Sequence, residues 1–279
     1  MSNSCNFFVL RALTNMHVGS GEANFNIIDN EVQRDVITNF PVINSSSLKG
    51  GLKQHFLNIY NEKRDDKEDF KNKYIDYTFG SDNNIGHYNF LNANLLSIPV
   101  RSNKKQFFRA TCPRIINDLL SSLEDFNYNK DIIIESLNSL LKINAYRNKP
   151  VILTEKGQKF DENIKIETMD TELKYVDNFD TYERIFGNDI VLYSDDDFNI
   201  LTKNLPVIAR NHLDNGESKN LWYEEIVPRE SRFYFIILQA GDNIYEFNKI
   251  LIERPVQIGA NATIGYGFSI IEQLVIENE

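Results

Sequence analysis

The stretch HVGSGEANFNIIDNEVQRDVITNFPVINSSSLKGG, residues 17–51, decides how the rest of the chain is interpreted. It follows a nearly continuous apolar run, residues 7–13, which predicts a buried strand. Gly19 and Gly21 then predict a turn whose backbone adopts positive φ or approaches a ligand closely. A turn without a ligand is the alternative of equal weight. A nucleotide-hydrolase phosphate loop is excluded, because its Gly-Lys-Ser/Thr ending is missing.

The end of this stretch predicts a helix that begins near three serines whose hydroxyls can cap it. Its apolar face consists of Leu48, Leu52, Phe56 and Ile59. Lys49 and Lys53 form a separate cationic stripe, and Gly50 and Gly51 leave the first turn without bulky side chains. A helix start with free N–H groups, an added lysine and small residues is a natural phosphate seat. The alternative is an ordinary solvated face with two lysines.

The bulk properties fit a globular protein but not an obvious nucleic-acid binder. The chain has 279 residues, 42% of them hydrophobic, and a net charge of −10. Because a nucleic-acid binder is expected to carry a basic surface, RNA binding would require a local cationic groove. No apolar run approaches the roughly 20 residues that span a bilayer, and the N-terminus lacks a signal-peptide pattern. The spacing of Cys5 and Cys112 is not typical of a metal site, and the sequence does not decide whether they form a disulfide. A reducing cytoplasm is the expected location.

The remainder predicts a mixture of strands and helices. Strands are predicted at 88–100, 106–112, 233–238 and 269–276, and helices follow Pro113 and begin at Asp131. Residues 151–188 are polar and predict an irregular insertion. Ser194 and the acids Asp195, Asp196 and Asp197 favour a helix cap over a metal site by about four to one.

Two further segments are candidate ligand-binding elements. The turn Asp214-Asn215-Gly216 predicts a hairpin, in which Trp222 and Tyr223, beside Arg210 and His212, are able to stack on bases or to serve as packing anchors. The glycine-spaced run at 257–268 predicts backbone lying against a phosphate chain, with a tight structural loop as the alternative.

Seven motifs carry a resemblance to a known family. They are HVGSG-E, VQRD-x-x-TNFPVI, SSLKG, LLSIPVRS, ATCP, LWYEE-x-VP and IGANATIGYGF, in that order from His17 to Phe268. Together they resemble the backbone subunits of type III-B CRISPR effector complexes (the fourth Cmr subunit), within the RAMP superfamily. The corresponding type III-A subunits share several of these motifs, and the LLSIPVRS and LWYEE forms favour III-B. Asn92 stands where the family pattern has an acid, a departure expected to affect packing.

The resemblance implies an α+β fold in one domain, residues 1–279. Its core would be a modified RRM-like (ferredoxin-like) palm, with insertions at about 61–90 and 114–190 and a thumb hairpin at about 207–230. Copies would form a filament on guide crRNA together with other Cmr-type subunits, bind complementary target RNA and cut it at regular intervals. No membrane is involved.

The resemblance also implies the site residues. Asp29 would be the catalytic acid and the ligand of a divalent metal, expected to be Mg²⁺, with Asp35 as its nearest competitor. Further catalytic candidates are His17, Glu224 and Glu225. Combined with the patterns above, the RNA-binding set is Arg34, Ser46, Ser47, Lys49, Gly50, Lys53, Arg210, Trp222, Gly259, Asn261, Gly265 and Gly267. Two alternatives stay open: a scaffold that holds crRNA without cutting, and a crRNA-processing endoribonuclease that uses His17.

Overall fold

The computed structural model describes residues 4–21, 28–62, 67–128, 130–157, 163–215, 217–241 and 244–275. The chain forms two compact units: Met1–Asn94, Leu205–Arg229 and Tyr234–Gln273 make the first, and Leu95–Asn204, Glu230–Phe233 and Leu274–Glu279 make the second. The single domain expected from sequence stays a prediction. Among the described helices, none is long and apolar enough to cross a membrane.

The elements are numbered in chain order. The strands are β1 (Ser4–Ala12), β2 (Val42–Ile43), β3 (Gly80–Ser81), β4 (Asn84–Ile85), β5 (Asn89–Phe90), β6 (Ala93–Val100), β7 (Phe108–Thr111), β8 (Val151–Thr154), β9 (Lys165–Ile166), β10 (Met169–Asp170), β11 (Glu172–Tyr175), β12 (Ile190–Leu192), β13 (Val207–Asp214), β14 (Glu217–Glu225), β15 (Arg232–Gln239), β16 (Val256–Gln257) and β17 (Phe268–Gln273). The helices are α1 (Ser45–Glu62), α2 (Lys67–Phe70), α3 (Tyr77–Phe79), α4 (Pro113–Asp125), α5 (Asp131–Leu141), α6 (Phe179–Phe186), α7 (Asp195–Lys203) and α8 (Ile244–Glu253). A π-helical turn, Lys71–Asp76, joins α2 to α3, and a 3₁₀ turn covers Ala262–Ile264.

The first unit is built on an antiparallel sheet around β1. Strands β15, β1, β17 and β16 are neighbours in that order, and β1 pairs with β17 from Phe8↔Gln273 to Ala12↔Ser269. Phe7 and Phe8, both fully buried, stack against Tyr234 and Phe235 of β15. The apolar run at 7–13 therefore forms the buried strand that its sequence predicts.

Helix α1 buries the face that its periodicity predicts. Leu48, Leu52, Phe56 and Ile59 are all buried. Phe56 stacks on Phe247 of α8 with ring centroids 4.8 Å apart, inside a cluster of aromatic rings. The expected N-cap needs a correction, because the helix begins at Ser45 and its first backbone hydrogen bond joins Leu48 N–H to the Asn44 carbonyl. The three serines thus form the first turn itself. Asn92 accepts a hydrogen bond from Ser45 N–H (2.8 Å), which fits a packing role for this departure from the family pattern.

Strands β13 and β14 form the predicted hairpin, as a two-stranded antiparallel sheet of their own. The register closes at Asp214↔Glu217, and Asn215 has φ of 48°, as a two-residue hairpin turn requires. Gly216, the third residue of the predicted turn, lies outside the described residues. An irregularity in the register falls between His212 and Leu213.

The second unit contains a mixed sheet, with β11, β8, β12, β7 and the part of β6 from Leu95 as neighbours in that order. Within it β11 is parallel to β8 and β12 is parallel to β7, whereas β6 and β7 are antiparallel. Helix α4 buries its apolar face, and α5 buries Ile133, Leu137 and Leu140. Ile132, which the periodicity of α5 also placed inward, is 44% exposed. Ser194 caps α7 by accepting a hydrogen bond from Asp197 N–H, so the cap predicted for the three acids is confirmed.

The interpretation of 151–188 as irregular was wrong. Val151, Ile152 and Leu153 are at most 3% exposed in β8, and α6 buries Tyr182, Ile185 and Phe186. These elements are too short for their periodicity to stand out between polar neighbours. Cys5 and Cys112 are both free thiols, so the disulfide that the sequence left open does not form. The α+β class is confirmed.

Candidate functional site

Asp29 is fastened to strand β14 of the hairpin. Its backbone N–H donates to the Tyr223 carbonyl (3.0 Å), and its carboxylate Oδ2 accepts from Tyr223 N–H (2.7 Å). The next residue, Asn30, forms a parallel bridge with Glu224. The Asp29 side chain is exposed, and its Oδ1 makes no hydrogen bond to any residue that the structure describes. One carboxylate oxygen is therefore held in place while the other faces outward.

Asp35, the competing acid, has a structural role. Its Oδ1 accepts hydrogen bonds from Ile37 N–H (3.1 Å), Thr38 N–H (2.7 Å) and the Thr38 hydroxyl (2.9 Å). Each acid thus has one oxygen bonded to backbone N–H groups, Oδ1 in Asp35 and Oδ2 in Asp29. The Asp35 carboxylate closes its own turn and is half-buried, whereas Asp29 is exposed and bonded to the hairpin. The assignment of the catalytic acid to Asp29 stays a prediction.

Glu224 and Glu225 lie at the end of β14 and point to opposite sides of it, as adjacent strand residues must. Glu225, 3% exposed, accepts from Arg34 Nη2 (2.5 Å) and from Val32 N–H (3.0 Å). Glu224, 4% exposed, accepts from Arg210 Nε (2.8 Å) and Asn261 Nδ2 (2.7 Å). Both carboxylates are thus buried and bonded to protein groups, a geometry that favours a positioning role. A direct catalytic role for either one stays a prediction.

His17 belongs to the same buried network. Its Nδ1 lies 2.7 Å from the Glu225 carbonyl oxygen, which can only accept, so Nδ1 carries the hydrogen. Its Nε2 lies 3.5 Å from Glu224 Oε1. The ring is 4% exposed, and His17 comes just before the glycine turn in the chain. His17 therefore joins the segment before the glycine turn to Glu224 and Glu225 of β14, and its burial favours a positioning role.

Gln33 is an organising residue that the sequence did not single out. Its amide donates to the Gly19 carbonyl (3.2 Å) and to the Ser47 hydroxyl (3.0 Å), and its Oε1 accepts from Asn44 N–H (2.8 Å). One side chain thus joins the glycine turn to the start of α1. Its place beside Arg34 in the VQRD motif was the only signal that could have found it.

A groove of about 740 Å³ opens between the start of α1 and the glycine-spaced loop. It is lined by Val18, Gly19, Ser47, Gly50, Gly51, Gln54, His55, Asn58, Pro255, Gln257, Gly259, Ala260, Ala262 and Phe268. Among the described residues, this lining combines amides and a hydroxyl with small and apolar residues, and it contains no lysine, arginine or carboxylate. Burial lowers the pKa of His55, which favours its neutral ring. The described lining of the groove is therefore uncharged.

The predicted cationic stripe does not line this groove. Lys53 Nζ donates to the Gly80 carbonyl (2.9 Å), and Lys49 Nζ lies 6.0 Å from the centroid of the Phe90 ring. Arg34 and Arg210 are paired with the two glutamates. Of the predicted RNA-binding set, Ser46, Gly50 and Gly259 are exposed and Ser47 and Asn261 are half-buried.

At three glycines, the group that lies close to the glycine is another segment of the same chain and not a ligand. A Cβ at Gly51 would lie 2.9 Å from Ile258 Cγ1, and one at Gly259 would lie 2.5 Å from the His17 carbonyl oxygen. A Cβ at Gly267 would lie well inside contact distance of the Ile258 carbonyl. Gly265 has φ of 84° and open space around it. The structural-loop alternative holds at Gly259 and Gly267, and Gly50 and Gly265 stay free to approach a ligand.

Of the two hairpin aromatics that the sequence proposed for stacking on bases, Tyr223 is exposed and Trp222 is not. Trp222 is half-buried and lies opposite Arg210, whose guanidinium is 4.5 Å from the centroid of the Tyr266 ring. Leu221 (53% exposed) and Tyr223 (40% exposed) lie on the opposite face. The alternation of β14 could have identified Leu221, which the sequence reasoning missed.

For a metal ion, the described residues offer little beyond Asp29. Across those ranges, no group of three or more His, Cys, Asp or Glu side chains is placed to hold an ion. Asp29 supplies one outward oxygen, which suits Mg²⁺ because that ion commonly takes one or two carboxylates and fills its other positions with water and phosphate oxygens.

Comparison with known proteins identifies the class of protein that this fold and site belong to. The model of the RAMP superfamily matches residues 9–270, so the chain belongs to the RAMP superfamily. Within that superfamily it is 29% identical to the CRISPR system Cmr endoribonuclease Cmr4 of Pyrococcus furiosus, over 93% of this chain and 92% of that protein.

Solved structures share the fold over nearly the whole chain. A chain of the type III-B Cmr-beta complex bound to cognate target RNA superposes with a TM-score of 0.77, at 22% identity, covering 97% of both chains. Oligomeric Cmr4 from Pyrococcus furiosus gives a TM-score of 0.68, at 24% identity, covering 99% of this chain and 100% of that one. The resemblance drawn from the seven motifs is confirmed.

Proposed function

We propose that this chain is the backbone subunit of a type III-B CRISPR complex, which holds guide crRNA, binds complementary target RNA and cuts it at regular intervals. The observation that carries the cutting activity is the outward carboxylate oxygen of Asp29, held beside the hairpin by Tyr223. The match to a relative named as an endoribonuclease supports the same reaction. Other Cmr-type subunits and further copies of this chain are the proposed protein partners, in the cytoplasm.

The uncharged groove at the start of α1 is proposed to hold the guide. The first turn of α1 and the open position at Gly50, which lines the groove, allow an RNA backbone to approach closely. With few free cations there, affinity would depend on hydrogen bonds and on the helix dipole more than on paired charges. This accounts for an RNA-binding chain whose net charge is −10.

The hairpin is proposed to distort the target next to Asp29. Leu221 and Tyr223 present exposed apolar surface on one face of the hairpin, and such side chains are able to separate stacked bases. Because the backbone of Asp29 is bonded to Tyr223, the carboxylate stays at a fixed place relative to the nucleotide that the hairpin displaces. Orientation of this kind can supply effective molarities of about 10⁵ M or more.

A divalent cation, proposed to be Mg²⁺, would be held by Asp29 and would stabilise the charge that develops at the scissile phosphate. Asp29 contributes the outward oxygen, while its second oxygen stays bonded to Tyr223 N–H. The buried network of His17, Glu224 and Glu225 keeps the hairpin and the Asp29 loop together.

The two alternatives differ in how well they fit. A processing endoribonuclease would need His17 at the RNA, and the 4% exposure of that ring disfavours it. A scaffold that does not cut fits the lack of an acidic cluster among the described residues. Target-RNA cleavage by a variant of Asp29 decides between a scaffold, which predicts unchanged cutting, and a nuclease, which predicts its loss.

The experiment is target-RNA cleavage by the complex reconstituted with crRNA and its sister subunits, in Mg²⁺ and then with chelator. Asp29→Asn is the sharpest variant, because the amide oxygen can still accept from Tyr223 N–H while the charge is lost. We expect cleavage to fall by roughly 10² to 10³-fold, with target binding unchanged. Asp35→Asn, which keeps the turn's acceptor, is the matched control and should cut normally. Products that persist in Asp29→Asn would favour the scaffold.

A further inference from the structure

The turn formed by residues 35–39, here called the Asp35 turn, exposes two adjacent aliphatic side chains. Val36 is 98% exposed and Ile37 is 92% exposed, and both are β-branched. Single exposed aliphatic residues are common on proteins, but two fully exposed neighbours at the tip of a turn make a compact apolar knob. The proposed catalytic and guide-binding residues do not include either side chain.

The backbone beneath this knob is held firmly. Asp35 N–H donates to the Phe40 carbonyl (2.9 Å), and Asn39 N–H donates to the Asp35 carbonyl (2.9 Å). Arg34 Nη1 donates to the Asn39 carbonyl (3.0 Å), and the next residue, Phe40, is only 4% exposed. With the three hydrogen bonds to the Asp35 carboxylate, the tip is preorganised, so binding through it loses little conformational entropy.

The chemistry of the turn suits a protein surface better than a phosphate chain. Its five residues, Asp-Val-Ile-Thr-Asn, include a carboxylate and no cation. Two copies of this chain each carry a net charge of −10, so a contact between them must rely on apolar or local pairing rather than on complementary net charge. An uncharged aliphatic knob meets that requirement. The relative from Pyrococcus furiosus, matched over its whole length, was solved in an oligomeric form.

We propose that Val36 and Ile37 dock onto a second copy of this chain and form part of the copy-to-copy contact of the filament. The proposal rests on the proposed function as a repeated backbone subunit. The knob on one copy would insert into a different surface of the next, which makes the contact head-to-tail and leaves the assembly open to further growth.

The test compares a double variant with a matched control in the full-length chain. Val36→Ser/Ile37→Ser removes the knob, whereas Ile85→Ser changes an equally exposed isoleucine (92%) on β4. Sedimentation of each protein over a range of concentrations, with and without guide RNA, measures self-association. We expect the double variant to associate at least about tenfold more weakly, and the control to match the wild type. Circular dichroism should show the same fold for all three, because these side chains contribute little to the core.

A photo-crosslinking residue identifies what the knob touches. With p-benzoylphenylalanine in place of Ile37, irradiation of the complex assembled on labelled guide RNA should yield a covalent dimer of this chain. Crosslinks to RNA alone, or unchanged association of the double variant, would overturn the docking proposal. If the wild type itself never self-associates, with or without guide RNA, the backbone function fails and the docking proposal fails with it. If the wild type assembles and the double variant assembles equally well, only the docking proposal fails.

Discussion

Gly267 and Gly265 provide a controlled comparison of two glycines in the same loop. Both have positive φ, 77° and 84°, so alanine at either position carries the left-handed cost of about 1–2 kcal/mol. Only at Gly267 would the new Cβ also collide with a backbone carbonyl, that of Ile258. Relief of that collision requires the two chain segments to separate.

The separation breaks identifiable hydrogen bonds. Ile258 N–H donates to the Gly267 carbonyl (3.0 Å), and Gly267 N–H donates to the Asn15 carbonyl (2.9 Å). At about 1 kcal/mol each, their loss adds about 2 kcal/mol to the left-handed cost. We therefore expect Gly267→Ala to lower the free energy of unfolding by about 3–4 kcal/mol, and Gly265→Ala by only 1–2 kcal/mol.

Urea unfolding measures both variants at one protein concentration, because self-association shifts the midpoint. The single tryptophan, Trp222, reports on the hairpin, and far-ultraviolet circular dichroism reports on the whole chain. Equal destabilisation by the two alanines would refute the reasoning, since it would mean that the backbone near Ile258 yields at no cost. A larger effect at Gly265 would refute it more strongly.

Two further predictions concern buried polar groups. Arg210→Met should lower the free energy of unfolding, measured in urea, by roughly 3 kcal/mol. The substitution leaves the buried Glu224 without its arginine partner and removes the stacking of the guanidinium on Tyr266. Adding Glu224→Gln to this variant should recover part of the lost stability, because the unpaired buried charge is removed. Burial raises the pKa of the Tyr88 hydroxyl to about 12, whereas an exposed tyrosine titrates near 10. Between these values the unfolded chain releases its proton first, so stability should fall as pH rises from 10 to 12, and Tyr88→Phe should lessen that fall when thermal midpoints are compared.

Long periodic segments were predictable from the sequence because a single face of each is buried. The apolar face of α1 and the run in β1 followed from their spacing, and the hairpin followed from its turn residues. Short elements were not predictable in this way. Strand β8 has four residues, too few for alternation to show, and its burial depends on neighbours in the sheet.

The structure brings several residues of the predicted site into one hydrogen-bonded network, but the local sequence could not show how they pair. Arg34 and Glu225 are 191 residues apart, and nothing in the local sequence of either one indicates that they pair. The sequence therefore assigned Arg34 to phosphate and Glu225 to catalysis, while the structure pairs them with each other. The sequence likewise could not show that the Asp29 carboxylate accepts from Tyr223 N–H, 194 residues away, while the Asp35 carboxylate closes its own turn.

Because Glu224 and Glu225 point to opposite sides of β14, the position at which residues can be inserted into or deleted from the hairpin is restricted. One glutamate is bonded to the glycine-spaced loop and the other to the VQRD segment. A single residue inserted just before Glu224 would exchange their sides and break both attachments. At the free end of the hairpin, near residues 211–220, the described side chains are exposed and make no such attachment to the rest of the chain. We therefore expect natural relatives and engineered variants to lengthen or shorten the hairpin only at that end, which would change its reach into the RNA without moving Asp29.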